Sequence, residues 1–182
     1  MSRILLAYAS THGHTAKIAA RVAHVLRKTG HHVVLDGDIG NTDPDINGYD
    51  AVVAGASIHG GRFQSDLVDW ATRHATSLSL RPSAFFSVCL TAAEDSEESR
   101  QATRDYLDDF EERSGWTPRL RTTFAGALQY REYGLPTRMA MQVMMRRGHH
   151  PADIGRDYDY TDWDAVEAFA RECAALLAPA AV

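Results

Sequence analysis

Short apolar runs alternate along this chain with longer stretches of helical period. The runs RILLAYA (3–9), HHVVLDG (31–37), AVVAGAS (51–57), SAFFSVCL (83–90) and RTTFAGAL (121–128) are mostly continuous, not alternating. That pattern marks strands buried on both faces of a parallel sheet. Between them the spacing predicts helices at 14–29, 63–78 and 96–113, and a fourth closes the chain at 163–177. This last helix is announced by Thr161 or Asp162 as a cap. Its Trp163, Val166, Phe169, Ala170, Cys173 and Leu177 fall on one face. Right-handed crossovers leave few ways to arrange five such strands, so the pattern predicts an α/β, doubly wound, five-stranded parallel sheet of order 2-1-3-4-5. Residues 129–160 do not fit. They are too long for a connection, carry a helix-like piece of their own, and read as an insert after the fifth strand.

With 182 residues the chain is expected to form one domain over 1–182, insert included. The apolar runs are too short to span a bilayer, and the first residues lack the long apolar core of a secretory signal. The expected compartment is therefore cytoplasmic. Cys89 and Cys173 stand far apart with no C-x-x-C spacing and read as reduced core residues. A net charge of -5, from 19 basic and 24 acidic residues, argues against a nucleic-acid footprint. His31 with His32, and His149 with His150, have no carboxylate or cysteine partners at ligand spacing, so no metal is expected.

In this topology the first strand ends at the switch point of the sheet, where ligands bind. The residues there are Ser10, Thr11, His12, Gly13, His14 and Thr15. A loop that opens a helix offers free backbone N–H groups and the positive end of the helix dipole, and the hydroxyls add donors. Such a loop holds a phosphate monoester without a lysine. Gly13 suits a point where the backbone closes on an anion or needs positive φ. Neither Gly-Lys-Ser/Thr nor G-x-G-x-x-G is present, which points away from ATP and dinucleotides. The competing reading is a plain capped helix start.

Two further segments reach the same crevice. The third strand runs out through Ala56, Ser57, Ile58, His59 and Gly60, and the fourth through Cys89, Leu90 and Thr91. Three converging loops suit a flat ring attached to a phosphate, the shape of FMN.

YASTHGHTAKIA (8–19) resembles the phosphate loop of the flavodoxin-like family. The whole chain is similar to one of its branches, the menaquinone-dependent protoporphyrinogen oxidases. The residues that carry this second resemblance are VVAGASI (52–58), RHATSL (73–78), PSAFFSV (82–88), AGALQY (125–130) and YTDWDAVEAFARE (160–172), with the insert after Tyr130. The resemblance implies FMN as cofactor, oxidation of protoporphyrinogen IX to protoporphyrin IX for haem synthesis, and a quinone as acceptor. Three departures stand out. Position 12 is His where flavodoxins usually carry a hydroxyl residue. Position 60 lacks the aromatic residue expected of the oxidase branch. The loop AAEDSEESR (92–100) is acidic where that branch tends to be basic.

In LPTRMAMQVMMRR (135–147), Met141, Met144 and Met145 group on one side with Arg138, Arg146 and Arg147 at the flanks. Arg62 and these three arginines are the expected contacts for substrate carboxylates, and residues 135–147 also suit peripheral contact with a membrane. Packing of the methionines on the sheet edge is the alternative. No paired acid and base is visible, so no catalytic residue is assigned. Two other functions fit the same residues: a flavodoxin-like electron carrier or quinone reductase, and a flavin-free interaction module.

Overall fold

The computed structural model describes residues 1–128 and 156–177. Five strands, β1 (Arg3–Ala9), β2 (His32–Asp36), β3 (Ala51–His59), β5 (Ser83–Cys89) and β6 (Leu120–Ala125), form a parallel sheet in the order β2-β1-β3-β5-β6. This is the expected order once β4 (Arg62–Phe63), a two-residue strand antiparallel to the end of β3, is set aside. Alternate residues of each strand face opposite layers. Ile4, Leu6, Val53, Phe86 and Phe124 pack against Ile18, Val22 and Leu26 of α1 (His14–Lys28) and against Val166, Phe169 and Cys173 of α5 (Trp163–Ala175). Leu5, Ala7, Val52, Ala54 and Phe85 face the other way. There they meet Leu67 and Trp70 of α3 (Ser65–Ser79), and Leu107 and Phe110 of α4 (Glu97–Ser114). A short helix α2 (Ile39–Thr42) follows β2.

Local chemistry sets the helix boundaries. α5 is capped by Asp162, the second of the two expected candidates, whose carboxylate accepts the Ala165 N–H at 3.0 Å. α4 starts at Ser96, whose hydroxyl accepts the Ser99 N–H, and stops at Gly115 in the left-handed region, φ +67°. Within the second layer Phe85 and Phe110 stack at 4.0 Å, and Trp116 beside them donates its Nε1–H to Ser83 Oγ. Gly55 is required by space: a Cβ there would stand 2.1 Å from the Phe86 ring.

Two expected boundaries are corrected. The run 121–128 does not form one strand. β5 ends at Cys89, whose carbonyl accepts the Gly126 N–H at 3.0 Å, so beyond Ala125 the sheet offers no further ladder partner. Its continuation β7 (Ala127–Leu128) instead pairs antiparallel with β8 (Tyr158–Asp159), which satisfies both backbones. The third run does not end at Ser57 either. It continues to His59, turns at Gly60 and Gly61 with φ +57° and +76°, and returns as β4 so that Phe63 is buried. Two successive positive-φ residues make the tight turn that matches strand twist. Of the insert, residues 156–160 are described and 158–159 are β8. The helix-like piece at 135–147, with Arg138, Arg146 and Arg147, lies outside the described residues.

Candidate functional site

Register brings the ends of three strands level: Ala9 pairs with Ala56, and Ala56 with Ser87. From this edge Ser10 begins the first loop, and its hydroxyl accepts the Gly13 N–H at 3.0 Å. Gly13 has φ +79°, and a Cβ there would meet nothing within 4 Å. The left-handed conformation is the expected reason for a glycine at this point. The left-handed turn delivers the chain into α1, whose first amide bonded inside the helix is that of Lys17, to Gly13 O at 3.2 Å. The amides before it have no intrahelical acceptor, and no acidic residue stands in the first turn. Free N–H groups and an uncompensated positive helix end are features that suit an anion.

The β3–β4 hairpin closes against this loop. The rings of His12 and His59 meet edge to face at 5.4 Å. Ser57 Oγ lies 3.1 Å from His59 Nε2 and accepts a hydrogen bond from Gln64 Nε2, which also donates to Thr11 Oγ1 at 3.1 Å. Gln64, the residue before α3, therefore ties the first loop to the end of β3, and its Oε1 is buried without a donor. His59 is exposed as a residue, yet desolvation of its ring, reinforced by the charge of His12, lowers its pKa. Ala56 is fully buried in the sheet and offers the crevice only its backbone, while Ile58 and Gly60 belong to the hairpin. Arg62 is exposed, in register opposite His59.

At the third strand end, Cys89 is buried, and its thiol is pushed up by burial despite the Ala92 and Thr91 amides and the Thr91 hydroxyl aimed at it. Leu90 opens the turn at Thr91–Ala93. The acidic stretch that follows is partly neutralised within itself. Arg100 pairs with Asp95 and Glu97, and Arg104 reaches Glu97 at 2.8 Å.

His14 and Thr15 are both buried. The imidazole of His14 turns to the clasp formed by β7 and β8, with Nε2 2.7 Å from Thr161 Oγ1 and 3.6 Å from Asp159. Burial lowers its pKa, Asp159 opposes that, and Lys17 adds to it. Sequence reasoning missed Gln64, Asp159 and Thr161. Gln64 carries no motif, and the other two act only through a contact that joins chain ends far apart in sequence.

A family model described as a flavodoxin domain matches residues 5–154. The chain belongs to the flavodoxin family. Within it, the chain is 34% identical over 96% of both chains to a protein of Escherichia coli (strain K12) named protoporphyrinogen IX dehydrogenase [quinone]. A protein of the same name from Leishmania major is 36% identical, over 96% of this chain and 75% of that one. Among solved structures, flavodoxin from Streptococcus pneumonia TIGR4 superposes with a TM-score of 0.58 at 19% identity, over 95% of this chain and 98% of that one. Oxidised flavodoxin 1 from Bacillus cereus gives 0.55 at 17%, over 97% of both chains. These likenesses show the shared fold. No helix among the described residues of this flavodoxin-family protein is long and apolar enough to cross a membrane.

Proposed function

We propose that this chain, as one flavodoxin-like domain, binds FMN at the carboxyl edge of the sheet and oxidises protoporphyrinogen IX to protoporphyrin IX with a quinone as acceptor. The observation that carries the cofactor is the left-handed Gly13 opening an acid-free helix start, with the side-chain oxygens of Ser10 and Thr11 beside it. The residues fit the group: amides and hydroxyls for a phosphate, and the buried, undonated Gln64 Oε1 as an acceptor for a ligand N–H. In this reading Ser10, Thr11, His12, Gly13 and Thr15 surround the phosphate. Ser57, His59, Gly60, Leu90 and Thr91 flank the ring. Arg62, Arg138, Arg146 and Arg147 meet the substrate carboxylates. The substrate and acceptor are supported by near full-length likeness to two proteins named for that reaction.

When bound, the flavin supplies two-electron oxidation, and three such rounds convert a porphyrinogen to a porphyrin. The protein's own part is to hold and orient. The Gln64 bonds to Thr11 and Ser57 fix the first loop against the hairpin, and the His12–His59 contact sets the edge beside it. Arg62, on the two-residue β4, is available to an anionic group arriving from solvent.

The test is an absorption spectrum of protein passed through a desalting column after addition of FMN. An anaerobic assay then follows porphyrin fluorescence from protoporphyrinogen IX with a soluble quinone. Retained flavin bands and quinone-dependent porphyrin formation support the proposal. A flavin-loaded protein that leaves the porphyrinogen untouched supports instead an electron carrier, a reading favoured by the acidic surface of α4, whose seven acidic residues outnumber its three arginines, Arg100, Arg104 and Arg113. A protein that binds no FMN overturns both.

A further inference from the structure

The anion loop and the clasp that closes the long insert share one side chain. Leu128 and Tyr158 pair where the chain leaves β7 and returns in β8, and the Tyr160 N–H donates to Gly126 O at 3.2 Å. Thr161 completes the closure: its N–H donates to Asp159 Oδ1 at 2.9 Å and its hydroxyl to Ala125 O at 2.8 Å. Trp163 Nε1–H donates to the other Asp159 oxygen at 3.3 Å. The proton of the Thr161 hydroxyl is thus committed to a carbonyl, so the 2.7 Å contact with His14 Nε2 requires the imidazole to donate. That donor belongs to the first residue of α1, directly after the left-handed Gly13, and its own backbone N–H is among the free amides of the anion loop.

We propose that His14 is a positioning residue which couples occupancy of the anion loop to closure of the β7–β8 clasp. The inference rests on the flavin reading above, and more narrowly on a phosphate at residues 10–15. With the clasp closed, the bond to Thr161 fixes the start of α1, so its amides are set for an anion before one arrives. With the clasp open, the His14 donor loses its acceptor and the first turn loses that restraint. A ligand that needs ordered amides therefore binds the closed state more tightly and draws the clasp shut, and the clasp favours the ligand by the same factor. Couplings of this kind run from about fivefold to about a hundredfold in affinity.

The experiment uses the full chain with FMN, riboflavin and inorganic phosphate as probes. Amide hydrogen exchange is read in peptides covering 126–128 and 158–163, and FMN affinity is read by quenching of flavin fluorescence. FMN is expected to slow exchange at Leu128, Tyr160 and Thr161 by about fivefold or more, and riboflavin, which lacks the phosphate, is expected not to. Thr161→Val lies outside the anion loop and keeps the side-chain shape, yet is expected to weaken FMN binding by about fivefold or more and to abolish the protection. His14→Leu is expected to do the same, and His14→Gln, which keeps a donor near the position of Nε2, is expected to restore both. Slowing by inorganic phosphate alone supports a phosphate-driven effect. If FMN binds the wild type while clasp exchange and the Thr161→Val affinity stay unchanged, the coupling is overturned. If FMN does not bind the wild type, the flavin reading falls first and the coupling with it.

Discussion

Gly13 and His14 are adjacent, and the fold uses them in opposite ways. Gly13 lends only its backbone, at φ +79° in open space. An L-residue pays about 1–2 kcal/mol for that conformation, least for Asn and Asp. Gly13→Asp adds a negative charge beside the expected phosphate and is predicted to weaken FMN binding more than tenfold, while the near-isosteric Gly13→Asn retains the fold and much of the affinity. Flavin titration of the two variants decides this, and equal binding by both would remove residues 10–15 from the site. His14 lends its side chain to the clasp, and burial lowers its pKa against the pull of Asp159 and with the help of Lys17. The folded protein therefore binds fewer protons at this ring than the unfolded chain does. Its contribution to stability is full above pH 6.5, the ordinary histidine value, and is lost as pH falls from there through the lowered folded value. Denaturant midpoints at pH 7.5 and 5.5 are predicted to fall with acid, and His14→Gln to flatten that slope. The loop proposed for an anion could be singled out in the sequence because small hydroxyl residues and a glycine after a buried strand have a local meaning. The direction of the His14 ring was not, because its partner is Thr161, close to the other end of the chain.

At the scale of elements, periodicity located the long helices and the sheet strands to within two residues except at the end of β6, which stops three residues short of the expected run, because burial on one face of a helix or both faces of a strand leaves a direct trace in composition. The elements it did not locate are short and depend on neighbours. β4 exists because Phe63 is buried against Phe85 and Phe110 once Gly60 and Gly61 reverse the chain. β7 leaves the sheet because β5 has ended. The α4–β5 layer gives the sharpest stability test. Phe110 is fully buried and stacked on Phe85 at 4.0 Å, so Phe110→Ala is predicted to cost about 3–5 kcal/mol. In the opposite layer, beside α1 and α5, Gly55→Ala on β3 forces a methyl into the Phe86 ring and is predicted to cost about 1–3 kcal/mol. Equilibrium denaturant unfolding of both variants measures these losses, and a change below about 0.5 kcal/mol, the range of ordinary surface substitutions, would mean the layer concerned repacks freely.

At the scale of the molecule, the two layers protect both thiols. Cys173 on α5 is buried, its pKa pushed up to about 12, and Cys89 at the end of β5 is pushed up as well. Neither is predicted to react with an aromatic disulfide reagent in the native state, and both to react once denaturant unfolds the chain. Rapid labelling of native protein would place one of them outside the core. The sequence by itself determined the layer architecture, the sheet order and the loop on which an anion is expected, because these follow from local pattern and from the handedness of chain connections. Tertiary structure alone decided that Gln64 joins the first loop to the hairpin, that His12 meets His59, and that His14 turns away to the clasp. Each of these is a contact between side chains that come together only after the strands have registered, and a directional hydrogen bond leaves no periodic signal in the chain.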